Sequence, residues 1–169
     1  RWLVGMQSAN GGWGAFDADN DAEWLYRIPF CDFGAVTDPP SADVTAHAVE
    51  LLAREGGYEE AVLRGVDYLL AEQEEDGSWF GRWGVNHVYG TAAVLPALEA
   101  AGFPADHPAM RRAVAWLEAH QNEDGGFGED CRSYDRGEAG RAWRGRGEST
   151  PSQTAWALLG LLAGEDELG

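Results

Sequence analysis

The chain has 169 residues and sets 12 arginines, with no lysine, against 29 acidic residues, a formal charge of −17. Its 44% hydrophobic and 11% aromatic content can fill a core, which excludes a disordered chain. That much negative charge repels phosphate backbones and anionic surfaces, which argues against nucleic-acid binding through a basic patch.

Three segments repeat one pattern: Trp2-Leu3 with Gln7, Gly11 and Trp13; Tyr68-Leu69 with Gln73, Gly77 and Trp79; and Trp116-Leu117 with Gln121, Gly125 and Phe127. An internal repeat decides the architecture, so it is read first. The spacing predicts that each Gln closes a helix and that Gly and the ring make the turn after it. The Gln amide can bond orphan carbonyls, or the amides of the next helix, while the ring packs over it. The reading is structural for Gln7, Trp13, Gln73, Trp79, Gln121 and Phe127.

Helices follow in chain order from apolar periodicity. Val44, Ala48, Leu51 and Leu52 recur at helical spacing over 43–55, with Ser41 as N-cap and Gly56-Gly57 as the stop. Val62, Val66, Leu69 and Leu70 mark a helix over 59–73. A third covers 91–101, where Pro96 predicts a kink. A fourth covers 107–121, with Pro108 in its first turn and Met110, Val114 and Leu117 inward. A fifth starts at Thr150-Pro151 and runs through Leu158, Leu159 and Leu162. No alternating strand pattern interrupts them. The fold class is all-α, a chain of helical hairpins that can curve into a solenoid or close into an α/α barrel.

The loops over 14–40, 80–90 and 128–149 all follow a repeat Gln, so they emerge at one end of the array, which is crowded with Phe, Trp and Tyr. Asp17, Asp19 and Asp21 form a solvated acidic turn. They fail as a calcium loop because position six is Ala22 and position twelve is Ile28. His47, His87, His107 and His120 show no metal-ligand spacing with the cysteines, and no Gly-x-Ser-x-Gly turn is present. No metal and no cofactor is expected. Cys31 and Cys131 make no disulfide framework and read as small buried thiols in a reducing compartment. No apolar run reaches the ~18 residues of a spanning helix.

Asp43 and His47 lie four apart and share a helix face. Such a pair is commonly a partly buried structural hydrogen bond. It can also be an imidazolium that a carboxylate holds against a further acid, tuning that acid's strength.

Taken together, Pro29-Phe30-Cys31-Asp32-Phe33-Gly34, Thr37-Asp38-Pro39-Pro40-Ser41, Asp43-Val44-Thr45-Ala46-His47 and Gly81-Arg82-Trp83-Gly84-Val85-Asn86 resemble bacterial squalene–hopene cyclases. Gly128-Glu129-Asp130-Cys131-Arg132-Ser133-Tyr134 and Ser149 to Trp156 extend the resemblance over almost the whole chain. It implies an incomplete α/α barrel, an internal part (residues 1–169) of the family's catalytic C-terminal domain. The other barrel, the last repeat and the Asp-x-Asp-Asp acid are expected outside it, the acid upstream of Arg1.

By resemblance, Asp43 and His47 support that acid, and Phe33, Trp83 and Tyr89 face the path of a carbocation. Phe16 stands where some members have Tyr, Trp24 falls near another cavity aromatic, and Phe30 and Cys31 match the constriction of the substrate channel. Cation–π faces stabilise a carbocation without capturing it, and a dry pocket raises the strength of an acid. The implied substrate is squalene or a related linear triterpene. The implied setting is a peripheral, monotopic contact with the cytoplasmic side of the bacterial membrane, with a homodimer possible for the parent protein. The fragment alone is expected to be inactive. Two other functions stay open on the residues alone: a carbohydrate-active α/α barrel and a noncatalytic helical-repeat binding module.

Overall fold

The computed structural model describes residues 1–22, 37–135 and 137–165. Its helices are α1 (Trp2–Gly5), α2 (Ala42–Glu55), α3 (Glu59–Ala71), α4 (His87–Ala100), α5 (Pro108–Ala119), α6 (Glu138–Arg141) and α7 (Pro151–Ala163). A 3₁₀ turn covers Cys131–Tyr134, and no named strand occurs among the described residues. The all-α expectation therefore holds.

Packing sorts the long helices into two layers. In one, α4 lies between α2 and α7; in the other, α3 packs on α2, and α5 packs on α4 and α7. The apolar pattern explains which helix is central. α2, α3 and α5 are amphipathic, whereas α4 buries residues on nearly every side, from His87 and Val88 through Val94, Leu95 and Leu98. A helix that is apolar all round belongs between others. Gly160 lets α7 approach closely, since a Cβ there would lie 2.9 Å from the Ala92 Cα of α4.

The glutamine turns are the joints of this array. Gln7 Nε2 donates to Gly11 O at 2.8 Å and to Ala61 O of α3 at 2.9 Å. Gln73 Nε2 repeats this with Gly77 O at 2.9 Å and Ala109 O of α5 at 3.0 Å. Arg64 and Arg112, on those same helices, donate to the amide oxygens of Gln7 and Gln73. The partners on the next helix are therefore first-turn carbonyls rather than amides. Gln73 and Gln121 also sit just past their helices, which end at Ala71 and Ala119.

The rings pack as expected: Trp13, Trp79 and Phe127 are fully buried. Trp13 and Trp79 also donate their indole N–H to Leu3 O at 2.8 Å and Leu69 O at 2.6 Å. Each turn carries a further bond. The backbone N–H of Trp13, Trp79 and Phe127 donates to the hydroxyl of Thr45, Thr91 and Thr154, at 2.9, 3.0 and 3.0 Å. Those threonines stand on α2, α4 and α7, so each turn is fastened to a helix of the first layer. The third turn is the exception in the other layer. Among the described residues Gln121 reaches only Gly125 O, at 2.8 Å, and a Cβ on Gly125 would meet nothing within 4 Å. On Gly11 and Gly77 it would strike the carbonyls of Arg64 and Arg112.

Two expectations need correction. The third helix begins at His87, four residues before the expected Thr91, and runs through Pro96 to Ala100. Its first turn is held by a distant acceptor, Glu129, that periodicity cannot reveal. Ser41 is the N-cap residue of α2, but its hydroxyl makes no capping bond.

Replacing Gln73 with Ala should destabilise the chain by ~2 kcal/mol, since two carbonyls and Arg112 lose a partner. Gln121→Ala should cost less than ~0.5 kcal/mol. Urea unfolding of the two variants checks the order, and equal losses would contradict the joint assignment.

Candidate active site

Asp43 stands in the first turn of α2, where the helix dipole favours a negative charge. It is fully buried, and its Oδ2 accepts the backbone N–H of Trp83 at 2.8 Å. Among the described residues its Oδ1 has no partner. An unpaired buried carboxylate oxygen is costly, and Oδ1 of Asp38 is in the same position.

His47, one turn later, is exposed, and its Nε2 lies 3.3 Å from the Tyr89 hydroxyl. The expected Asp43–His47 hydrogen bond is thus replaced by two separate contacts. Asp43 holds the loop over 80–86, while His47 meets the first turn of α4. The physical reason is rotation about the helix: Asp43 points into the core beneath the loop, and His47 faces the open groove beyond it.

Burial, and then the charge of Asp43, push the Tyr89 phenol up to about 12. The same two causes act first on Tyr134, also pushed up to about 12. Burial first, then Glu72 and last Asp43 raise Tyr68 further. All three hydroxyls are engaged or placed: Tyr68 donates to Pro40 O at 2.8 Å, Tyr134 donates to Gly84 O, and Tyr89 faces His47. Gly84 has a clear steric role, since a Cβ there would lie 2.4 Å from the Tyr89 ring.

Trp83 is 50% exposed, and Phe16 packs edge-on against it with centroids 5.5 Å apart. The Phe16 loop is tied down by buried Asp38, which accepts the backbone N–H of Phe16 and of Asp17. Trp156 of α7 stacks obliquely on Tyr89 at 4.6 Å. Below it runs a groove of about 310 Å³ between α2, α4 and α7, with His47, Tyr89 and Trp156 at one end and Leu159 and Leu162 on its wall.

The structure therefore brings Asp43, His47, Phe16, Trp83 and Tyr89 together. Trp24, Phe30, Cys31 and Phe33 lie outside the described residues. Cys131 is exposed rather than buried, because the 3₁₀ turn directs it outward from the loop. Among the described residues no group of three or more His, Cys, Asp or Glu could hold a metal ion. No described helix is long and apolar enough to cross a membrane.

Sequence reasoning missed Trp156 and the three hydroxyl-bearing threonines. A signal existed: Thr45-Ala46, Thr91-Ala92 and Thr154-Ala155 repeat one dipeptide, and His47 and Trp156 occupy the same place two residues after its Thr.

Helical hairpins with an acid- and aromatic-bearing loop end define the α/α-barrel class of terpene cyclases. The solved ent-copalyl diphosphate synthase from Streptomyces platensis shares the fold with a TM-score of 0.60 and 29% identity, over 81% of this chain and 25% of that one. Within that class, the chain belongs to the squalene-hopene cyclase C-terminal domain family, whose pattern matches residues 1–168. It is 56% identical over 165 residues to the squalene–hopene cyclase of Zymomonas mobilis, covering 96% of this chain and 25% of that protein. To the squalene–hopene cyclase of Alicyclobacillus acidocaldarius it is 58% identical over 167 residues, covering 97% of this chain and 26% of that protein. The chain thus spans about a quarter of the length of these relatives.

Asp43→Asn should lower the ionisation midpoints of Tyr89 and Tyr134 from about 12 toward 10. Removing a negative charge eases formation of a second one, so the sign is fixed. Ultraviolet titration of the phenols checks it; unchanged midpoints would separate Asp43 from the tyrosines.

Proposed function

We propose that this chain forms part of the catalytic barrel of a squalene–hopene cyclase, one wall of the chamber in which squalene becomes hopene or hopanol. The observation that carries the reading is buried Asp43, with one oxygen fixed by the Trp83 loop and the other unpaired among the described residues. Membership of the family supports the substrate, and its relatives bear the name of that reaction.

The reaction begins with proton transfer to a terminal alkene of squalene, which offers no heteroatom to bind. The donor must therefore be a carboxylic acid made strong by its neighbours and kept from water. That donor is the Asp-x-Asp-Asp acid, which these 169 residues do not contain. In this reading Asp43 and His47 stand behind it, with His47 held in place by the Tyr89 hydroxyl. The electron pair of each successive alkene then closes a ring and passes the positive charge along the chain. Loss of a proton ends the cascade as hopene; capture of water ends it as hopanol. No redox partner is needed: hopene is an isomer of squalene, and hopanol is squalene plus one water, the attacking water giving up a proton as its oxygen bonds to the cation.

The rings of Trp83, Phe16 and Tyr89 lower the energy of the travelling cation by up to ~2 kcal/mol each when dry. None presents a strong nucleophile. Leu159 and Leu162, 58% and 64% exposed along the groove, give the chamber an apolar wall. Glu50, Arg54 and Glu99 line the rest of the groove. Peripheral membrane attachment and dimerisation, at the cytoplasmic face, belong to the same reading and concern the parent protein.

The test is the complete parent protein incubated with squalene, its products read by gas chromatography. A pentacyclic product is expected. Asp43→Asn should slow turnover by ~10²-fold or more, and Trp83→Ala should release partly cyclised products. An intact parent that makes no cyclic product overturns the reading.

A further inference from the structure

His87 is almost wholly buried, at 1% exposure, yet it takes no part in the site described above. Its Nδ1 lies 3.2 Å from Glu129 Oε1 and its Nε2 lies 3.4 Å from Glu74 Oε1. A neutral imidazole has one N–H, so it can serve one of these carboxylates and turns a lone pair on the other. An imidazolium donates to both. Charge points the same way: His87 faces the carboxylates of Glu129 and Glu74, and among the described residues the cation that opposes it is Arg144, itself paired with Glu74 and Asp76. The rings of Phe80 and Trp116 also lie against it.

The cluster joins three distant segments: the turn after α3, the start of α4, and the loop that follows Phe127. Glu129 does more than pair. Its Oε2 accepts the backbone N–H of Asn86 at 3.2 Å and of Val88 at 2.8 Å, so it caps α4 from afar. Asn86 in turn donates to Ser133 Oγ at 3.2 Å. Tyr89 is the next residue after Val88, and Trp83 lies on the loop that leads into Asn86.

We propose that His87, held as a cation between Glu129 and Glu74, is the positioning residue that fixes the start of α4 and, through it, the Tyr89–His47 contact. Glu129 and Glu74 then act as its clamps, one deep and one at the surface. Burial by itself would drive the imidazole neutral; the two carboxylates outweigh it and raise His87 above its ordinary value. The same contact with His87 is the first cause lowering Glu74. It also helps to offset the burial that would raise Glu129. A raised histidine stabilises the fold fully below its unfolded value, and that contribution disappears as pH climbs through the folded one. The grip on α4 is therefore complete below the ordinary imidazole value and weakens as pH rises through the raised one.

The inference rests on the proposed cyclase only for its purpose; the test needs no product. Histidine Cε1–H signals of the purified chain are followed by NMR across pH. His87 should titrate above the ordinary imidazole value of about 6.5, and the His47 signal should show a second inflection at the same pH. In His87→Gln that inflection should vanish from the His47 signal. Glu74→Gln, which alters the more exposed clamp and leaves the α4 cap alone, should shift the His87 midpoint downward by a measurable fraction of a unit. His87 titrating at or below the ordinary value overturns the proposal. So does a His47 profile that lacks the second inflection in the unaltered chain.

Discussion

A glutamine side chain has two amide protons and one carbonyl oxygen, and this fold uses nearly all of them at its joints. Gln73 gives one proton to its own turn and the other to the first turn of α5, while Arg112 returns a bond to its oxygen. Water could satisfy those groups just as well in strength, so the gain comes from geometry rather than from bond energy alone. The buried ring six residues later excludes that water. Once ring and amide are seated, the turn has one shape, and the threonine below it has one place to meet the backbone. Layer spacing, and hence the distance between neighbouring hairpins, follows from that pair.

The loop end inherits its order from these joints. Each long loop leaves from a fixed turn and returns to a fixed helix, so bulky rings can be held half in the open without collapsing onto the core. Asp43 illustrates the arrangement: a carboxylate sunk at a helix start steadies the Trp83 loop from below. Its charge is felt by three phenols that make their own bonds elsewhere. The electrostatics of the site are therefore collective, and Tyr89 is the residue through which they reach the exposed His47.

How far the residues foretold this depended on the range of the interaction. The repeat of Gln, Gly and ring is local, and the turns it specifies are where they were expected. α2, α3, α5 and α7 show their faces in apolar spacing. α4 is four residues longer than its apolar spacing indicates because Glu129, more than forty residues away in sequence, caps its start. The Asp43–His47 spacing correctly placed both on one helix but could not say that Asp43 binds Trp83 and His47 meets Tyr89. A four-residue interval defines a shared side of a helix, not the partner that each residue finds across the gap. Trp156 and the threonines were legible only as a third tier of the repeat, once the helices of the first layer were known to be equivalent.

The difference between the three joints bears on how the molecule comes apart. Two of them are double-locked, while the Gln121 turn is held by its own carbonyl, its ring and Thr154. In a stack whose units touch only their neighbours, cohesion is counted edge by edge. Opening should therefore be resisted most along the α2–α4 seam, because the two double-locked joints fasten those helices through Thr45 and Thr91.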